Sequence, residues 1–234
     1  MRIKHIFLLT IGLLFHDLNF SQVMTQHPDT GKEIILHDNG TWEYTGEQTF
    51  VADFDSIAGL LHDNRDGQSY ETITIANQIW MAENLNYNTK NSWCYKNKPT
   101  YCNQYGRLYN YMDANKACPS DWHLPSKEEW ERMITNLGGK EIAGELIKAE
   151  EGYLPFRGTE GNGTNESAFN ALPAGIRGDH DNAFNYLSKR SYFWTSVPMD
   201  MGRAWSYSFY SSDHKVHLNY FSKSYGFSVR CIKD

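Results

Sequence analysis

The sequence predicts an α+β domain with two helices and short antiparallel strands, tied by disulfides and preceded by a small β-hairpin appendage. Three observations carry that prediction. A helix with a strong start signal opens at Ser126, short aromatic stretches of strand character fill the C-terminal part, and Cys231, fourth from the end, has a candidate partner in Cys118 near mid-chain. Helices flanked by strands at both ends of a chain pack as segregated layers around one core.

The N-terminus comes first in the chain and bears on compartment. Arg2 and Lys4 supply a positive start, Ile6 to Phe15 form an apolar run of ten, and Ser21 precedes Gln22, the pattern of a signal peptide over residues 1–21. Asn19, three positions before the break, is not an ideal small residue for a cleavage site. The run is too short to span a bilayer, and no later run is long enough, so the mature chain is expected to have no transmembrane span. The expected location is the periplasm, the cell surface or the extracellular medium.

Composition agrees with an exported binder of something other than nucleic acid. The 234 residues carry a formal charge of −6, and loss of Arg2, Lys4 and Asp17 would leave about −7, with no basic run. Such a chain has no electrostatic footprint for phosphate backbones. Aromatic residues make up 15% of the chain, with 15 Tyr and 7 Trp, more than a core of this size needs. Part of that aromatic content is expected at the surface, where Tyr and Trp serve recognition.

Four cysteines in an exported chain suggest two disulfides rather than metal ligands. Three pairings are open, and the favoured one joins Cys94 to Cys102 and Cys118 to Cys231. The second pair is 113 positions apart, and closing so long a loop removes roughly 4 to 5 kcal/mol of unfolded-state entropy. Neither C-x-x-C nor H-x-x-x-H occurs, so no metal site is expected, and no cofactor.

The remaining elements follow in order. Gly31 to Tyr44 alternates polar and apolar residues on both sides of Asp38-Asn39-Gly40, a hairpin tip. An isolated hairpin is marginal in water, and residues 22–55 are treated as an appendage and linker to a main domain over 56–234. Asp63-Asn64-Arg65-Asp66-Gly67 reads as a turn, since the full calcium-loop pattern is absent. Tyr70 to Ile75 is β-rich, and Ile79 to Leu85 continues the sheet or an adjoining edge. Leu108, Tyr111, Met112 and Asn115 fall at helical spacing and predict a short helix ending at Cys118-Pro119.

Ser126 and Glu129 form an S-x-x-E capping box, and Trp130, Met133, Ile134 and Leu137 then recur at i, i+3, i+4 and i+7 before Gly138-Gly139. A weaker amphipathic turn covers Ile142 to Ile147. Gly158 to Ser167 reads as a polar, glycine-rich loop with nothing to pack. Strands are predicted at Tyr192 to Ser196, Ala204 to Phe209 and Phe227 to Ile232.

Six blocks, taken in order, are familiar. Trp80-Met81-Ala82-Glu83-Asn84-Leu85, Gly106-Arg107-Leu108-Tyr109-Asn110, Cys118 to Pro125, Thr164-Asn165-Glu166-Ser167, Ala171-Leu172-Pro173-Ala174-Gly175 and Gly226 to Cys231 resemble the Fibrobacter succinogenes major paralogous domain family from about Asp63 to Asp234. The resemblance implies an exported or surface bacterial protein without established enzymatic activity, and a relation to the C-type lectin-like fold. In that fold a first helix ends near a cysteine, a strand with a His-Leu pair leads into a second helix, and a terminal cysteine returns to the first helix. Cys118, His123-Leu124, the helix from Ser126 and Cys231 stand here in that order. The Glu-Pro-Asn or Gln-Pro-Asp and Trp-Asn-Asp triplets of calcium-dependent sugar binders are absent, and Trp205 is followed by Ser206-Tyr207. A fold shared by many functions does not supply one.

No catalytic constellation stands out. His214 and His217 are three apart, so on a strand they point to opposite faces and read as solvated. Asp179-His180-Asp181 lies in a loop opened by Gly178 with no nucleophile motif beside it, and reads as a plain loop. Glu128 and Glu129 suit the helix start. The residues best suited to contact a ligand are Trp205, Tyr207, Tyr210, His214, His217, Asn219, Tyr220 and Tyr225, rings and amides near the C-terminus that suit sugar rings or protein surfaces. The sequence therefore predicts a non-catalytic binding or adhesion module of the bacterial envelope or surface, with a glycan or a surface protein as partner. The alternatives are a carbohydrate or cell-wall processing enzyme, which needs two carboxylates facing across a cleft, and a purely structural envelope protein, which needs no concave aromatic patch.

Overall fold

The computed structural model describes residues 23–26, 33–36, 42–44 and 55–234. The expected signal peptide, residues 1–21, lies outside them. The chain divides into two compact units, Met1–Thr49 and Phe50–Asp234. In the first, β1 (Val23–Gln26), β2 (Glu33–Leu36) and β3 (Trp42–Tyr44) form an antiparallel sheet in that order. The hairpin expected around Asp38-Asn39-Gly40 is the β2–β3 pair, with Leu36 opposite Trp42. A third strand, β1, lines up against the other edge of β2 with Val23 opposite Leu36, so the element is a three-stranded sheet where two strands were expected.

The second unit opens with β4 (Asp55–Asp63) and β5 (Gln68–Ile75), joined by the Asp63–Gly67 turn. The buried Asp63 carboxylate accepts from the Arg65 guanidinium at 2.7 and 2.8 Å, and Arg65 also donates to the Ala117 and Cys118 carbonyls. Its oxygens are thus taken up by arginine, and the segment is a turn. Strand β6 (Gln78–Met81) follows, then β7 (Ser92–Trp93), α1 (Pro99–Tyr105), β8 (Leu108–Tyr109), α2 (Tyr111–Ala117), β9 (Trp122–His123) and α3 (Lys127–Asn136).

Two expectations need correction in this stretch. Helix α1 was not foreseen; proline at its first position is compatible with a helix start, but its apolar partners Tyr95 and Phe184 come from elsewhere in the chain. The helix ending at Cys118 begins only at Tyr111, because Asn110 caps it by accepting from the Asp113 amide at 2.9 Å. Leu108 belongs instead to β8, opposite Trp93, and Met112 is exposed while Ala114 and Ala117 are buried.

Helix α3 forms as its local code requires. The Ser126 hydroxyl accepts from the Glu129 amide, and the Glu129 carboxylate accepts from the Ser126 amide, satisfying two otherwise unpaired donors for about 1 kcal/mol. Trp130, Met133, Ile134 and Leu137 are all buried. They meet Trp80, Phe169, Phe193, Tyr207 and Phe209 in the largest of the three core clusters.

The short α4 (Ala143–Ile147) leads to Lys148, which is fully buried. Its ammonium donates to the Gly161, Tyr210 and Asp213 carbonyls at 2.7, 3.2 and 2.9 Å, and burial pulls its pKa down to about 8. The Gly158–Ser167 segment is therefore fastened rather than unpacked: Thr159 also donates to the Ser211 carbonyl, and the Gly163, Thr164 and Asn165 amides bond back to residues 145–149.

The C-terminal half comprises β10 (Ile176–Arg177) paired with β11 (Phe184–Asn185), the antiparallel sheet β12 (Arg190–Pro198), β13 (Arg203–Tyr210) and β14 (His217–Ser222), and β15 (Ile232–Lys233). Strand β15 closes the main sheet in the order β4-β5-β6-β15-β9. The strand predicted over Phe227 to Ile232 is regular only at its end. Its earlier residues run as a wedge between sheets, with Phe227 bonding to Tyr109, Ser228 to Tyr192 and Val229 to Leu85. Both expected disulfides form, Cys94–Cys102 and Cys118–Cys231. The second unit is thus a mixed α+β body with four α-helices among the described residues, two more than expected, and antiparallel sheets.

His123 ties this body's end to its middle. Its Nδ1 meets the Asp234 carboxylate and its Nε2 lies 2.9 Å from Glu129. Burial opposes the imidazolium, but the two carboxylates outweigh it and raise the His123 pKa. Burial likewise opposes the Glu129 carboxylate, whereas the Ser126 amide and His123 hold it below its usual range. Stability from the raised histidine is complete below about pH 6.5 and lost as pH climbs through its folded value; that from Glu129 is present above about pH 4.5 and lost below. The stability gap between wild type and His123→Gln is therefore expected to be widest between about pH 4.5 and 6.5 and to narrow as pH rises through the raised folded value of His123. With His123 41% exposed, solvent screening keeps the gap under about 1 kcal/mol. Thermal melts across pH read it, and a gap independent of pH would show the expected coupling to be absent.

Candidate functional site

The side-chain period of two sorts the nominated residues onto opposite faces of the β12-β13-β14 sheet. On one face Trp205 meets Tyr220 edge-on at 5.4 Å, with the Lys127 ammonium 5.7 Å from the indole ring and the Arg203 guanidinium 4.6 Å from the phenol ring. Tyr207 points the same way but lies beneath α3, stacked on Trp130 at 5.1 Å and fully buried. It is a core residue, which corrects its nomination as a contact.

The other face carries Tyr192, Tyr210, His217, Asn219 and Phe221. There a cleft of about 460 Å³ opens between this sheet face, the β10–β11 hairpin loop and Tyr225. Of the eight nominated residues, Tyr210, Asn219 and Tyr225 line it. His217 stands behind, stacked on the Tyr210 ring at 4.2 Å with its Nε2 2.9 Å from Asp213. His214 lies in the preceding loop, where its carbonyl approaches Gly144 so closely that a Cβ there would sit 2.2 Å away. Neither histidine is the freely solvated strand residue expected.

The rest of the lining escaped sequence reasoning. Asp179, His180 and Asp181 line the cleft from the hairpin tip, together with Asn185, Tyr186 and Arg190. The acid-histidine-acid run was visible but read as a plain loop, because nothing local shows that its tip faces a ring-lined wall. The hairpin can approach because Gly175, at φ +70°, lies so close to the returning strand that a Cβ would sit 2.4 Å from the Asn185 carbonyl. Tyr186 follows at φ +65°, a left-handed conformation rare for an aromatic residue and costly by about 1–3 kcal/mol.

Charge and polarity divide the cleft. The Arg190 guanidinium lies 4.5 Å from the Tyr186 ring centre and 4.6 Å from that of Tyr210. Burial works against this cation, but its hydrogen bond to Tyr192 and the neighbouring phenols hold its pKa above the usual value. Burial pushes the Tyr192 phenol up to about 12. Tyr225 is raised too, first by burial and then by the Asp179 carboxylate beside it. Burial would also raise Asp213, but His217 and the Lys215 amide hold it below the ordinary range. The cleft thus offers phenols, one guanidinium, two amides, the His180 imidazole and the carboxyl groups of a single loop.

The family model described as the Fibrobacter succinogenes major domain matches residues 73–233. No curated protein and no solved structure matches the chain. The matched span contains both disulfides, α1 to α4 and every residue of the cleft.

Proposed function

The chain belongs to the Fibrobacter succinogenes major domain family, and on that premise we propose that it is an exported, non-catalytic binding module of the bacterial envelope or surface that takes a glycan into the cleft on β12-β13-β14. The family and the two disulfides fit a secreted extracellular domain. Among the described residues no helix is long and apolar enough to cross a membrane.

The observation that carries the reading is the composition of the cleft wall. Tyr186, Tyr192, Tyr210, Phe221 and Tyr225 supply rings, and Asp179, Asp181, Asn185, Asn219 and Arg190 supply hydrogen-bonding groups. Sugars present an apolar ring face and a rim of hydroxyls, which such a wall complements. A structural packing unit has no need of this concavity. The processing-enzyme reading needs carboxylates on opposite walls, whereas Asp179 and Asp181 share one loop. A C-type lectin-like fold is part of the proposal, supported by the helix α2, His123-Leu124, α3 order and by Cys231 returning to the end of α2.

A glycan array probed with the mature chain tests the proposal, together with pull-down on envelope fractions. Binding to a defined glycan set is expected, weakened at least tenfold by Tyr210→Ala and unchanged by Trp205→Ala on the opposite face. Hydrolysis of a substrate without measurable glycan or envelope binding would overturn it.

A further inference from the structure

The cleft contains a guanidinium that the protein prepares but does not use. Arg190 donates from Nη1 to the Tyr192 hydroxyl at 3.3 Å. Among the described residues this is its only side-chain hydrogen bond, and no carboxylate lies within ion-pair distance of it. A planar group with five N–H donors is left with most of them unclaimed, in a cleft where neighbouring side chains have already removed part of its water.

Its orientation is built. Tyr186 and Tyr210 hold the guanidinium against their rings. Tyr210 is braced from behind by His217, which is itself held by Asp213. Tyr186 keeps its left-handed backbone because its carbonyl accepts from the Lys189 and Arg190 amides, each at 3.0 Å. A guanidinium immobilised in this way loses little entropy when it grips a planar anion through two parallel hydrogen bonds.

The geometry points to a carboxylate as the partner of Arg190, carried by an otherwise uncharged, hydroxyl-rich ring: an acidic saccharide with a single carboxylate at the docking end. This rests on the glycan reading of the cleft and narrows it. Asp179 and Asp181 set the second condition. They repel a further anionic group but accept hydrogen bonds from sugar hydroxyls, so a polyanion is disfavoured while a ring charged at one end fits.

The test uses the mature chain and three probes: a trisaccharide with one terminal glucuronic acid, the same trisaccharide with that carboxyl reduced to the alcohol, and a heavily sulfated oligosaccharide of equal length. Calorimetric titration of the wild type is expected to give the acid form at least tenfold tighter binding than the reduced form and to give the sulfated probe no advantage. In Arg190→Gln the preference should fall to within twofold. In Arg190→Lys, which keeps the charge without the fork, it should fall to an intermediate value. The wild-type ratio needs no variant, so misfolding of either substitution leaves the result readable. Equal affinity for acid and reduced forms, or tighter binding of the sulfated probe, overturns the inference while the glycan reading stands. Absence of binding to these probes and to every array glycan removes both.

Discussion

Arg230→Met is expected to destabilise the domain by about 3–5 kcal/mol, the cost of leaving buried partners of a removed charge unpaired. The residue is 1% exposed. Its Nε donates to Asn84 Oδ1 at 2.7 Å, Nη1 to the Met81 and Phe169 carbonyls at 3.0 and 2.6 Å, and Nη2 to the Asn170 carbonyl at 2.8 Å. The Phe169 ring lies 4.5 Å from it. Burial lowers the Arg230 pKa to about 9, so it is still a cation at neutral pH. Three segments distant in sequence, the end of β6, the 169–170 turn and the final wedge, are joined through this one group. Methionine fills much of the volume but supplies no donor. Lysine should lose less, since it keeps the charge but cannot match a planar fork of donors. Urea denaturation measures both, and a loss under about 1 kcal/mol in the methionine variant would show that the four acceptors find other partners.

Removing the Cys118–Cys231 bridge should cost about 4–5 kcal/mol, against roughly 2.5 kcal/mol for Cys94–Cys102, because the entropy withheld from the unfolded chain grows with the logarithm of the closed loop. The sequence separations are 113 and 8. The long bridge joins the C-cap of α2 to the residue beside β15, so its loss also loosens the strand that links β6 to β9 in the main sheet. The double substitutions Cys118→Ser with Cys231→Ser, and Cys94→Ser with Cys102→Ser, compared by denaturant midpoint, give the two costs. Equal losses, or a larger one for the short bridge, would contradict loop entropy as the cause.

What was legible in the chain follows the range of the interaction. The start of helix α3 was readable to the residue and its end to within one or two, because its capping box and its apolar stripe lie within about three turns of one another. The start of α2 was misjudged because Leu108 has two claims on it, a helical spacing that is local and a pairing with Trp93 that is not. The same division applies to the cleft. Tyr210, Asn219 and Tyr225 were nominated from their chemistry alone, yet the same reasoning nominated Tyr207, which its strand turns under α3 onto Trp130.

The sequence by itself determined the α+β composition, the capped helix, the aromatic strands and the family, all carried by short patterns or ordered motifs, and it left three cysteine pairings open, between which the structure decided. Only the tertiary structure decided that a loop of acids closes over a wall of rings, that Lys148 and Arg230 are buried cations held by carbonyls, and that Arg190 is oriented with no carboxylate partner among the described residues. Each of these depends on which backbone returns beside which after a long excursion. Alternation along a strand says that two faces exist, and only packing says which of them α3 covers and which is left open.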